Sequence, residues 1–77
     1  MTKEQLRKES GYIEAKNKIM SYPQDFKFRV PLYRMSEVKR NTMEILLKDC
    51  CDENIIESIS FDLDLYGNVT EEEYIRK

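Results

Sequence analysis

The sequence predicts a small α+β domain. Three observations carry that expectation: a chain of 77 residues with 40% apolar and 36% charged residues, two stretches of apolar residues at helical spacing, and two stretches that alternate apolar and polar residues. The length suits one domain close to the lower limit for a self-sufficient core, so residues 1–77 are read as a single unit. The expected element order is α-β-α-β-α, with two short strands packed against the helices.

The first helix is expected to start at Thr2, where Thr2 and Gln5 form a capping box and Met1 staples onto Leu6. Leu6, Ile13 and Met20 recur along one stripe, widened by Tyr12, Ala15 and Ile19, with Gly11 inside the helix. The helix should end at "SYPQD", because Pro23 disfavours helical dihedrals at Tyr22. "FKFRVPLY" then reads as a strand with Phe26, Phe28, Val30 and Leu32 on the core face and Lys27 and Arg29 outside. Pro31 cannot donate to a ladder, which makes this an edge strand. Ser36 should cap a second helix running to about Cys51, whose stripe of Val38, Thr42, Ile45 and Leu46 is broadened by Met43, Leu47 and Cys50. "DEN" breaks it.

From Glu57 to Tyr66 the pattern alternates strictly. Ile59, Phe61, Leu63 and Leu65 should face the core, with Ser58, Ser60, Asp62 and Asp64 outside. "YGN" is a turn. "VTEEEY" carries the marks of a helix start: Thr70 as cap, Glu73 closing a capping box, Val69 stapled onto Tyr74, and three glutamates at the positive helix end. Asp62, Asp64, Gly67, Val69 and Glu73 also fall on the spacing of a calcium loop. Tyr66 stands where that loop needs an oxygen ligand, and Leu63 and Leu65 suit a strand better, so the stretch is read as strand and turn, with no metal and no cofactor.

Catalysis is not expected. The chain has no histidine to serve a nucleophile, and outward carboxylates on a strand more often keep a protein soluble than act as an acid–base pair. Cys50 and Cys51 are neighbours and read as free, structural thiols of a reducing compartment. No apolar run reaches the length of a membrane span, and "MTKEQLRKES" lacks a signal-peptide core, so a cytoplasmic location without membrane contact is expected.

Charge is divided along the chain. Residues 1–48 hold 11 Lys/Arg and 6 Asp/Glu, a net +5, whereas residues 49–77 hold 2 and 9, a net −7. The acidic half supplies the favoured binding residues: Asp52, Glu53, Glu57, Asp62, Asp64, Glu71 and Glu72, set against basic clusters of a larger, nucleic-acid-handling host protein. Small acidic proteins that occupy nucleic-acid channels work in this way, and anti-CRISPR and anti-restriction inhibitors of phages and mobile elements are functional analogues. The alternative uses the basic half. "FKFRVP" followed by a helix resembles the opening of the ribbon-helix-helix repressors over about 25 residues, which implies DNA reading by Lys27 and Arg29 with Lys39 and Arg40 near phosphates. The second helix of that family is replaced here by "SISFDLDLYGNV". Because a lone strand pair is marginal, a homodimer is expected, joined through the 26–30 strand edge or the stripe of the first helix.

Overall fold

A computed structural model describes residues 2–77. It has helices α1 (Lys3–Arg7), α2 (Ser10–Met20) and α3 (Glu37–Asp52), a 3₁₀ turn at Leu32–Arg34, and strands β1 (Lys27–Val30), β2 (Ile56–Leu63) and β3 (Val69–Arg76). The strands form one antiparallel sheet in the order β1-β3-β2. The class is α+β, but there are three strands rather than two, and the order ends in a strand.

That last strand is the main correction. Residues 69–76 pair with both other strands instead of starting a helix, so Thr70 is no cap, Glu73 closes no capping box and Val69 does not staple onto Tyr74. The local helix signals are real but weak beside two ladders of hydrogen bonds. Val69, Thr70, Tyr74 and Ile75 all suit a pleated surface, and strand preference is decided by neighbours. Thr70 instead donates its hydroxyl to the Asp62 carbonyl at 3.3 Å. The sheet is therefore not the lone strand pair on which the dimer expectation partly rested.

The predicted first helix is two helices. The capping box at Thr2 and Gln5 is present, and the Met1 staple lies outside the described residues. The chain then breaks at Glu9, whose extended backbone precedes α2. The break re-phases the stripe: Tyr12 and Ile19 are buried and Ala15 packs against them, whereas Ile13 and Met20 are exposed. Gly11 falls in the first turn of α2, where its helix cost matters little.

Helix α3 follows the sequence expectation closely. Ser36 caps it by accepting from the Lys39 amide at 3.3 Å. Leu46, Leu47 and Cys50 are fully buried, which accounts for the broad apolar stripe of its C-terminal half, although Val38 is exposed. The helix ends in a Schellman motif: Asn54 takes φ 63°, its amide donates to Cys51, and the Ile55 amide donates to Cys50.

The core lies between the helices and one sheet face, where Val30, Ile56 and Tyr74 meet Tyr12, Ile19, Leu46 and Leu47. Leu32 is buried too, but from the 3₁₀ turn rather than from β1, and Phe26 lies before β1 and is exposed. Tyr22 ties these parts together, its ring centroid 4.7 Å from Phe26 and 5.1 Å from Phe28, which stacks on Tyr74 at 5.8 Å. Arg76 reaches across from the sheet to donate to the Ile55 and Met20 carbonyls, holding the end of α2 against the turn that follows α3.

The alternation in β2 does not run as expected. Ser58 lies opposite Tyr74 but Ser60 lies opposite Glu73, so Ile59 is an extra residue and the strand changes phase there. Beyond it Phe61 and Leu63 take the helix-side face, yet they stay 61% and 54% exposed because the helices do not extend over them, and the bulged Ile59 is 45% exposed. Leu65 is fully exposed in the hairpin loop rather than buried.

Candidate functional site

The outer sheet face gathers groups from all three strands. Arg29 of β1 lies opposite Glu73 of β3, and Glu71 lies opposite Asp62 of β2. The Arg29 guanidinium therefore reaches three carboxylates: Glu71 at 3.1 Å, Asp62 at 3.5 Å and Glu73 at 3.6 Å. Ser60 donates to Glu73 at 3.4 Å. Glu57, opposite Ile75, extends the acidic face toward the near end of β2.

The other acidic candidates are elsewhere. Asp64 closes the hairpin loop, where its carboxylate accepts from the amides of Asn68 (2.9 Å) and Tyr66 (2.8 Å). Those bonds, the one from Asn68 foremost, hold its pKa below the usual carboxylate range. Gly67, at φ 83°, completes that loop by donating to the Asp64 carbonyl at 3.1 Å. Glu72 turns to the helix side and accepts from the Tyr74 hydroxyl. Glu53, capping α3, is paired with Lys16 at 2.8 Å, and Asp52 is the last residue of that helix. The structure thus brings Asp62 and Glu71 together around Arg29, places Glu57 farther along the same face, and separates them from Asp52, Glu53, Asp64 and Glu72.

The basic candidates divide between the two layers. Lys27 and Arg29 are on the outer sheet face, Arg29 already engaged by carboxylates, while Lys39 and Arg40 are in the first turn of α3 in the helical layer. Lys39 borders a groove of about 890 Å³ between α1, α2 and α3 that also exposes Leu6 and Val38. Arg40 borders a second hollow of about 590 Å³, between Tyr33, Glu44 and the Asn68–Thr70 end of the hairpin.

Among the described residues, every ion pair joins the basic half of the sequence to the acidic half: Arg7 with Asp49, Lys16 with Glu53, and Arg29 with Asp62, Glu71 and Glu73. These pairs engage Arg7, Lys16 and Arg29 of the basic half with five carboxylates of the acidic half. Asp49 is the most embedded of these carboxylates, taking two bonds from Arg7 (2.8 and 2.9 Å) and one from the Tyr12 hydroxyl, and Arg7 holds its pKa below the ordinary range. Neither thiol is poised as a nucleophile. Burial pushes Cys50 up to about 11 and raises Cys51, so both favour the protonated form. No group of three or more His, Cys, Asp or Glu side chains that could hold a metal ion occurs among the described residues, and no helix there is long and apolar enough to cross a membrane.

The surface feature missed in the sequence is apolar. Phe61, Leu63, Leu65, Tyr66 and Val69 are all exposed along the far end of the hairpin, with Tyr33 exposed beside it. A signal was present: the strand opposite them reads "VTEEE", and glutamates such as Glu72, which faces Phe61, cannot supply a second buried layer. Compared with family models, curated proteins and solved structures, the chain matches none.

Proposed function

We propose that the chain is a small, non-enzymatic protein-binding module that presents the β2–β3 hairpin to a basic surface of a larger protein. The observation that carries this reading is the composition of the hairpin surface. Residues 49–75 contain no Lys or Arg, and the hairpin holds Glu57, Asp62, Glu71 and Glu73 on its outer face around Arg29, with Phe61 and Leu63 exposed on its opposite face and Leu65 and Tyr66 exposed in its loop. Exposed apolar groups close to a mainly acidic face suit a protein interface. Basic surfaces of that kind belong to nucleic-acid-handling proteins, and an occupant of such a surface acts as an inhibitor, in the manner of the anti-CRISPR and anti-restriction proteins of phages and mobile elements. Engagement of Arg29 by three carboxylates favours this reading over DNA binding through β1, where that side chain would have to be free for bases.

The test uses the triple variant Glu57→Gln, Asp62→Asn and Glu71→Gln, which spares the turn-forming Asp64 and the tyrosine-bonded Glu72. Wild-type protein should capture a partner from native-host extract, weakening as salt rises because exposed charges are screened over about 8 Å at physiological ionic strength. The triple variant should capture markedly less while keeping its thermal midpoint. Full capture by the triple variant removes the acidic face from the interface. Binding of duplex DNA by the wild type, lost on neutralising Lys27 and Arg29, establishes the rival regulator instead.

A further inference from the structure

The two free edges of the sheet are built differently. β1 is four residues long, carries Lys27 and Arg29 outward, and stops at Pro31. Short length, cationic side chains and proline are the devices that keep an edge from recruiting another strand. β2 is eight residues long, has no proline and no lysine, and every residue from Glu57 to Leu63 is exposed. The β2–β3 ladder has two irregularities, an extra β2 residue at Ile59 and an extra β3 residue at Thr70 between the Asp62 and Leu63 pairs, so Ser60 to Asp62 pair in continuous register. β1 pairs only with β3, so the whole of β2 is held by β3 alone and its other edge has no strand partner. An edge this long and this bare offers unpaired main-chain groups with Phe61 and Leu63 on one face and Asp62 on the other.

We propose that the β2 edge accepts an extended segment of a partner protein as a fourth strand, the segment alternating Lys or Arg with apolar residues. Such a segment places cations on the face of Glu57 and Asp62 and apolar groups on the face of Phe61 and Leu63, as strand periodicity requires. Charge complementarity selects this occupant. A second copy of β2 would bring carboxylates against carboxylates, since residues 49–75 contain no Lys or Arg to answer them. The inference rests on the protein-binding reading above and adds the mode of binding.

The probe is a synthetic peptide of alternating Lys and Val, as long as β2, titrated into the intact protein and followed by fluorescence anisotropy and backbone amide NMR. The peptide should bind saturably and more weakly at physiological than at low salt. Amide shifts should concentrate in residues 56–63 and leave residues 27–30 unchanged. N-methylating alternate peptide amides should abolish binding in one phase and spare it in the other, because only one set of amides faces the edge. Asp62→Lys should weaken binding about tenfold, equivalent to ~1.4 kcal/mol, with the sheet spectrum retained. The proposal is overturned if both N-methylated peptides bind equally, if the shifts fall on β1 or the helices, if nothing binds at millimolar peptide, or if the chain dimerises through β2 in competition with the peptide. A native partner that depends on Glu57, Asp62 and Glu71 while the N-methylated peptides bind alike would remove the edge and leave the protein-binding reading. Peptide addition at β2 together with partner capture indifferent to those acids would do the reverse.

Discussion

The β2–β3 hairpin has two ends made of the same strands and set in different surroundings. At the near end Ile56 and Tyr74 are almost fully buried under the helices, and Arg76 bonds to carbonyls of two neighbouring segments. At the far end Phe61, Leu63 and Val69 are exposed, β1 ends at the level of Phe61, and the loop is organised by Asp64, Gly67 and Asn68. Apolar alternation is therefore no guide to burial by itself. A strand face becomes core only where a second layer covers it, and here the helical layer stops short.

Shortening one apolar side chain at each end separates the two environments most clearly. Ile56→Ala should cost about 2–5 kcal/mol in denaturant unfolding, the range for a buried aliphatic side chain, whereas Phe61→Ala should stay within about 0.5 kcal/mol. Similar costs at both sites would mean that the far end is covered in solution.

Next comes pH. Burial, then the bond to Asp49, pushes the Tyr12 phenol up to about 12, and burial with Glu72 raises Tyr74 further. A group whose pKa is raised by folding stabilises the protein fully below its unfolded value, about 10 for tyrosine, and loses that contribution as pH climbs toward the folded value. Thermal midpoints should therefore fall as pH rises from about 10 to 12, and Tyr12→Phe should flatten part of that fall. On the acid side the depressed pKa of Asp49 means stability is present above about 3.9 and is lost below it. Both transitions belong to the covered part of the molecule.

At the far end Gly67→Ala should cost about 1–2 kcal/mol. A Cβ there meets nothing within 4 Å, so the whole cost comes from the left-handed backbone at φ 83°. Amide exchange should quicken around the hairpin loop and not in α3. The smallest effect is expected at the half-exposed Arg29. Arg29→Gln should change stability by less than about 1 kcal/mol, and less in high salt, because exposed ion pairs are screened. A larger change would show that this cluster, and not β3 pairing alone, joins the two ends.

Legibility followed range along the chain. Ser36, the stripe through Leu46 and Cys50, and the break at Asn54 were readable because caps and periodicity are decided within a few residues. Strand β3 was not. Its glutamates mimic a helix start, and the partner that explains Glu71 in a sheet, Arg29, lies 42 residues away. The division of charge was visible as composition, but nothing local could reveal that Arg7, Lys16 and Arg29 would each meet an acid of the other half. Of the candidate site, the acidic positions Asp62 and Glu71 were found, and the exposed apolar residues beside them were mistaken for core.

The sheet order has a consequence for biosynthesis. The central strand is residues 69–76, later in the chain than both strands it joins. While the chain is being made, β1 and β2 have no hydrogen-bonding neighbour until that segment leaves the ribosome, and α3 meanwhile has no sheet on which to lay Leu46 and Leu47. The sheet of this domain consequently waits for residues 69–76 to emerge, and ribosome-bound chains halted before residue 69 should stay open to protease throughout their exposed part.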